Sequence, residues 1–237
     1  MTNYLQYMQQ ISTTKSSQAK AQYLKYNFSH FVRPSSSILE IGPGLGEFLE
    51  FIFKSNPSSV DIIDRDQSTL TALKSRFNLG SALQLSAEDI SSRKDQLSQY
   101  DLIFMLQIME HVQTDALVPL IKTLYDCLKP GGHLLITVPN GANPLGTIER
   151  YSDITHVNLF SSNSLLQIAK FAGIDDSEIS IQGYRIPAVG LINPIRILMQ
   201  SMLYLCYKVV LAINAGVYFS PLHPNITLVV SKKSSAL

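Results

Sequence analysis

Ile38-Leu39-Glu40-Ile41-Gly42-Pro43-Gly44-Leu45-Gly46-Glu47-Phe48 is the stretch on which the fold turns. An apolar run meets an acid, three glycines follow at alternate positions, and a helical pattern begins. A backbone built this way turns sharply and lets a ligand approach closely, because glycine lacks the Cβ that would block either move. The dinucleotide fingerprint Gly-x-Gly-x-x-Gly needs a third glycine at position 47 or 49, which hold Glu47 and Leu49. No Gly-Lys-Ser/Thr follows, so a Walker A loop fails too. What remains is Glu40-x-Gly42-x-Gly44-x-Gly46. An acid there repels a pyrophosphate and suits an ammonium group, so a ligand with an amino-acid end and a sugar is expected. The plainer alternative is a glycine turn that serves no ligand.

Outward from this stretch the chain alternates strands and helices. Strand patterns occur at Ile38–Ile41, Val60–Asp64, Leu83–Leu85, Asp101–Leu106 and His133–Val138. Helical patterns occupy 16–32, 45–53, 68–77 and 117–128, with stops at Pro34, Asn56-Pro57, Asn78-Leu79-Gly80 and Lys129-Pro130-Gly131-Gly132. This interval predicts an α/β, Rossmann-like sheet of seven mostly parallel strands with helices on both faces. In such sheets ligands bind beyond the carboxyl ends of the strands. Those ends are Glu40–Gly46, Asp64–Arg65, Ser86–Asp89, Leu106–His111 and Pro139–Asn143. Asp64 is placed to accept both hydroxyls of a ribose; a helix N-terminal acid or a solvated turn residue would read the same way.

Composition narrows the classes. The chain has 237 residues, 46% of them hydrophobic and 16% charged, with a formal net charge of +1. A sizeable core follows, together with a surface poorer in charge than the usual quarter or so. Near-zero charge excludes bulk electrostatic binding of nucleic acid. Cys127 and Cys206 show neither metal nor redox spacing, which suggests a reducing, cytoplasmic setting. The opening MTNYLQYMQQIS has no basic region and no apolar core of a signal peptide.

Four segments together resemble class I S-adenosylmethionine-dependent methyltransferases: LEIGPGLG (39–46), VDIIDRD (60–66), DLIFMLQIMEHV (101–112) and LKPGGHLLITVPN (128–140). A fifth, 155–174, is similar to the subgroup with a Glu-His pair after the fourth strand, which includes quinone O-methyltransferases and methyltransferases of cell-surface glycan pathways. The resemblance implies that Glu40, Gly42, Gly44 and Gly46 hold the methionine end of the cofactor, and that Asp64 and Arg65 hold the ribose. Ala87 and Glu88 flank the adenine, and Leu106 and Gln107 line the cofactor near its methyl. Many members carry an acid where this chain has Ser86. The quinone enzymes place Glu-x-x-Glu-His after the fourth strand and can hold a divalent metal there. This chain reads Gln107-Ile108-Met109-Glu110-His111, with an amide for the first acid, and no metal is expected.

Methyl transfer to a hydroxyl needs positioning and a base. His111, beside Glu110, and His156 in the segment Asp153-Ile154-Thr155-His156 are the candidates, since imidazole titrates near neutrality. Either could instead be structural. Glu149 to Asp153 reads as an acceptor contact or as a solvated loop.

The domain plan is an N-terminal helical cap (1–34), a methyltransferase core (35–184 and 226–237) and an apolar helical insertion (185–225). Within the insertion, 195–213 is apolar but for a stripe of Arg196, Gln200 and Lys208. It would pack on its own domain or a second copy, lie in a membrane interface, or span a bilayer. Apolar insertions occur at this place in glycan-associated relatives. The expected activity is therefore O-methylation of a glycan or lipid-linked glycan in a bacterial cell-surface pathway, at the cytoplasmic face of the membrane. Methylation of a small isoprenoid or phenolic metabolite, or a non-catalytic binding module, are the alternatives.

Overall fold

The computed structural model describes residues 14–234. The first thirteen residues of the expected cap and the last three of the expected core lie outside that range. The elements run α1 (Thr14–Phe28), β1 (Ser37–Ile41), α2 (Glu47–Phe53), β2 (Ser59–Asp64), α3 (Gln67–Arg76), β3 (Ala82–Gln84), β4 (Tyr100–Leu106), α4 (Thr114–Asp126), β5 (Leu128–Pro139), α5 (Gly146–Ser152), α6 (Ser162–Phe171), β6 (Ile179–Gly183), α7 (Ile192–Ala215) and β7 (Asn225–Ser231). Short 3₁₀ segments cover Ala87–Gln96, Met109–His111 and Asp176–Glu178.

The sheet order is β3-β2-β1-β4-β5-β7-β6. β1 to β5 pair in parallel, and β7 slots antiparallel between β5 and β6. Alternate residues point to opposite faces. Ile38, Ile62, Leu102 and Phe104 meet Leu24, Phe28, Phe48 and Leu70 from α1, α2 and α3 on one face. Leu39, Ile63, Ile103 and Met105 meet Leu120, Leu124 and Leu165 from α4 and α6 on the other. Both faces are covered, which is why β4 reads as an almost unbroken apolar run.

Three boundaries differ from the sequence reading. α1 stops at Phe28 rather than Val32, because Phe31 and Val32 turn inward to pack on the α1 side of the core. The Lys129–Gly132 stretch is not a stop ahead of β5 but lies within it. Pairing there jumps from Tyr100↔Leu128 to Leu102↔His133, and the extra residues loop out at Gly131, whose φ is +77°. α7 begins at Ile192, ahead of Pro194, since proline is tolerated in a first helical turn where its missing N–H has no helical partner anyway.

The insertion leaves and rejoins the sheet at one edge. β6 ends at Gly183, which pairs with Ile226, and β7 starts at Asn225, which pairs with Pro139 at the end of β5. Both junctions therefore lie at the carboxyl edge of the parallel strands. Asn140 Nδ2 donates to the carbonyls of Pro221 (2.9 Å) and His223 (2.8 Å), and Asn143 Nδ2 donates to that of Leu222 (2.7 Å). These bonds lash the returning chain to the end of β5.

Candidate active site

The glycine loop is shaped by two different demands. Gly42 has φ +69°, and a Cβ there would sit 2.2 Å from Ile108 Cδ1 in the β4 loop. Gly44 has φ +54° and meets nothing within 4 Å, so its backbone faces open space. Behind the loop, Glu40 is 3% exposed and its Oε2 has no hydrogen-bond partner among the described residues. Burial pushes its carboxyl up to about 8, opposed by the charge of Lys20. Lys20 itself pairs with Glu47 at 3.3 Å, which brings α1 across the loop. A buried carboxylate oxygen without a donor is costly; an ammonium group from a ligand would relieve it.

At the end of β2, Asp64 Oδ1 accepts the backbone N–H of Asp66 at 2.8 Å. Burial raises its carboxyl above the usual range. The N-cap of α3 is Asp66, whose side chain accepts from the Ser68 N–H at 2.8 Å. The helix-capping role is thus filled by the neighbour. Arg65 gives its carbonyl to Gln84 Nε2 at 3.3 Å. Ser86 caps the 3₁₀ segment, Ala87 packs part-buried against the core, and Glu88 Oε1 accepts the Gln113 N–H at 3.0 Å. Glu88 therefore anchors the start of α4, a job the sequence reading did not anticipate.

At the end of β4, Gln107 adopts φ +56°, a left-handed conformation rare outside glycine. Its N–H is held by the Thr137 carbonyl at 2.9 Å, and its Nε2 donates to Asn225 Oδ1 at 3.3 Å. Such local strain concentrates at functional sites. The reversal tucks Glu110 inward. It is 1% exposed, neither carboxyl oxygen has a partner among the described residues, and burial raises it to about 8, with Asp153 and Glu149 adding to the rise. Its backbone carbonyl accepts from Val157 (2.9 Å) and Asn158 (3.1 Å), which folds the segment after β5 back over β4. That fold brings His156 to His111, with ring centroids 4.7 Å apart. Donor atoms of Glu110, His111 and His156 all lie within 4.8 Å of one another.

A methyltransferase-domain family model matches residues 14–178. The chain belongs to that family. Its cofactor is S-adenosylmethionine, and its fold is the Rossmann-like one of class I enzymes. Among solved structures it is similar to an S-adenosylmethionine-dependent methyltransferase from Archaeoglobus fulgidus (17% identity, 97% of this chain and 99% of that one, TM-score 0.67). It is also similar to the N-methyltransferase NodS from Bradyrhizobium japonicum in complex with S-adenosyl-L-homocysteine (14%, 97% and 98%, 0.57). Human N-acetylserotonin methyltransferase in complex with the cofactor shares the fold as well (13%, 97% and 56%, 0.59). No curated protein matches the sequence.

For this methyltransferase-family chain, the cofactor fits the cofactor-side residues: a buried acid for the ammonium, open backbone at Gly44 and the Asp64 carboxylate at the end of β2. The other side of the edge has a defined proton order. The Thr155 hydroxyl lies 2.6 Å from Asp153 Oδ1, and its single proton goes there. Toward His111 Nδ1, at 2.9 Å, the same oxygen must accept. The Thr155 carbonyl, 3.3 Å from Nδ1, can also only accept. His111 therefore carries its proton on Nδ1 and keeps the Nε2 lone pair free, an assignment read from the network. Burial and the nearby His156 lower its pKa, which keeps it neutral at pH 7. His156 Nδ1 faces the Glu149 carbonyl at 2.9 Å, so it too holds its proton there. The unprotonated Nε2 of His111, the imidazole of His156 and one buried carboxyl group form the cluster. It suits a proton acceptor or a cation. The sequence reading expected no metal because Gln107 replaces an acid; folding supplies His156 as a third donor from 45 positions along.

Proposed function

We propose that this chain is an S-adenosylmethionine-dependent O-methyltransferase acting on a glycan or lipid-linked glycan, working at the cytoplasmic face of a bacterial membrane. The observation that carries O-methylation is the Asp153–Thr155–His111 chain, which orients a neutral imidazole at the same sheet edge as the glycine loop. When bound, the cofactor supplies a methyl group on a sulfonium. His111 Nε2 would take the proton from the acceptor hydroxyl, while Glu40, the glycine loop and Asp64 would hold the cofactor that supplies the methyl group. Glu110 and His156 position the acceptor oxygen. The buried carboxyl at 110 is the group best placed to bond a sugar hydroxyl. The glycan reading rests on the polar edge of Gln107, Asn158 and Thr155 and on the apolar insertion.

Calorimetric titration of the cofactor is the first test; heat equal to dilution at millimolar cofactor sinks the reading. Turnover on a panel of saccharides, polyprenyl-linked saccharides, phenols and isoprenoids is the second. Cofactor binding with no turnover on any of them would favour the non-catalytic module.

A second reading is favoured by the unpartnered oxygens of Glu110. In it, Glu110, His111 and His156 hold a divalent cation that lowers the pKa of a bound acceptor hydroxyl. Activity that vanishes on dialysis against a chelator and returns with magnesium, manganese or zinc selects this reading, and chelator-insensitive activity selects His111 as a bare base.

A further inference from the structure

The 24-residue helix α7 is long and apolar enough to cross a membrane. Packed against the described residues, it has no fully buried side chain. Its part-covered positions, among them Ile197, Gln200, Tyr204, Tyr207 and Leu211, recur every three or four residues and form one stripe. That stripe meets the body through Tyr204 against His223 (5.7 Å between rings) and Asn193 Nδ2 against the Pro187 carbonyl (2.8 Å). Arg196 reaches the Tyr23 hydroxyl of α1 at 3.4 Å.

Around the helix the side chains are sorted. At about 100° per residue, the polar residues fall within roughly 140°, centred near the covered stripe, with Arg196 at one border and Lys208 near the other. The remaining 220° or so is apolar, and Leu198, Leu205, Val209 and Ile213 there are 51–82% exposed. The whole stretch 184–225 contains Arg185, Arg196 and Lys208 and not one of the chain's 18 acids. Basic residues at the border of an apolar face match anionic headgroups above acyl chains. A second copy of the segment offers those cations no counter-ion and covers only one side of so wide a face.

The topology then fixes the orientation. Both ends of the insertion rejoin the same edge of the same sheet. If α7 crossed a bilayer, residues 216–224 would have to return through the hydrocarbon as extended chain with unpaired backbone groups, which lipid does not tolerate. The helix must lie in the plane.

We infer that α7 is an in-plane anchor that embeds its apolar face in an anionic bilayer and seats the carboxyl edge of the sheet at headgroup depth. Exposed Leu145, Ile148 and Ile154 flank His156 on that edge. The site then faces an acceptor presented by the membrane, an amphipathic molecule with its hydroxyl just above the acyl layer. The acceptor part rests on the methyltransferase reading; the anchoring does not.

The test uses the full chain and vesicles of phosphatidylcholine with about a quarter phosphatidylglycerol, against phosphatidylcholine alone. The protein floats with the anionic vesicles, less with neutral ones, and less as salt rises. Leu198→Glu with Leu205→Glu abolishes flotation, and Arg196→Gln with Lys208→Gln lowers it several-fold. Cys206 is exposed on the apolar side while Cys127 is buried. Labelling of Cys206 by an impermeant maleimide slows about tenfold when anionic vesicles are added. Calorimetric cofactor binding by each variant, unchanged, shows that the core is folded and separates failure of the anchor from failure of the enzyme reading. A protein that stays with the soluble fraction under all lipids overturns the proposal, as does Cys206 protection that depends on protein concentration and not on lipid, which would assign the face to a second copy.

Discussion

Glu40 lies within β1 and Glu110 just beyond the end of the adjacent β4, and burial lifts each carboxyl to about 8, yet their charged neighbours differ. Glu40 has the cation Lys20 nearby, opposed by Glu47, and one oxygen without a partner among the described residues. Glu110 has Asp153 and Glu149 nearby, two histidines at hand, and both oxygens without a partner among the described residues. In the first, the ligand-free acid holds its proton at neutral pH, and a cationic ligand group would favour its release. The second favours an acid that keeps its proton until a hydroxyl or a cation replaces it. One fold thus tunes two like residues to different work by what each is buried beside.

His111→Ala breaks the acceptor half most sharply. Turnover is expected to fall about 10²–10⁴-fold while cofactor affinity, measured calorimetrically, stays put. An unchanged rate would make His111 structural. Asp64→Ala strikes the other half. Loss of its charge-assisted bonding to a ribose, about 1.5–3 kcal/mol in all, raises the cofactor Kd about 10–100-fold. Turnover at saturating cofactor is preserved.

The pH dependence of folding tests both acids together. Each folded carboxyl lies above its ordinary value of 4.5, so the folded chain holds protons that the unfolded chain releases. Their contribution is fully present below about 4.5 and declines as pH rises toward about 8, by at most about 1.4 kcal/mol per pH unit for each group. Denaturant midpoints of the ligand-free protein should fall across that window. Glu40→Gln and Glu110→Gln should each flatten the slope, and saturating cofactor should flatten only the Glu40 share. The smallest effect is Gly44→Ala, where open space leaves only the left-handed backbone cost of about 1 kcal/mol. Gly42→Ala adds the clash with Ile108, so a thermal melt should rank it as the more damaging.

The strand ends were readable because alternation and glycine spacing are local. So was the choice of cofactor, since Glu40, the missing glycine at 47 and Asp64 fall within 25 residues. The bulge at Lys129–Gly132 escaped because Pro-Gly-Gly marks a turn in most chains, and only pairing with β4 and β7 reveals it as part of a strand. The meeting of His111 with His156 was invisible for a different reason. It depends on the Glu110 carbonyl capturing Val157 and Asn158, a backbone bond that no side-chain pattern announces. Glu88, expected beside the adenine, also accepts the Gln113 N–H, a bond that no sequence pattern announces. The helix at 192–215 was legible in length and apolarity, but the placement of its basic residues at the border of the covered stripe needed the packed structure.

β7 lies between β5 and β6, yet it follows both of them and α7 in the chain. During synthesis β6 therefore has no neighbour to pair with until the last strand emerges, and β5 keeps an open flank. The oily helix is made before the sheet that it belongs to is finished. A ribosome stalled or a chain cut between Ala215 and Asn225 leaves a nascent protein with two unfinished strands and an uncovered apolar segment, a combination that chaperones and proteases recognise.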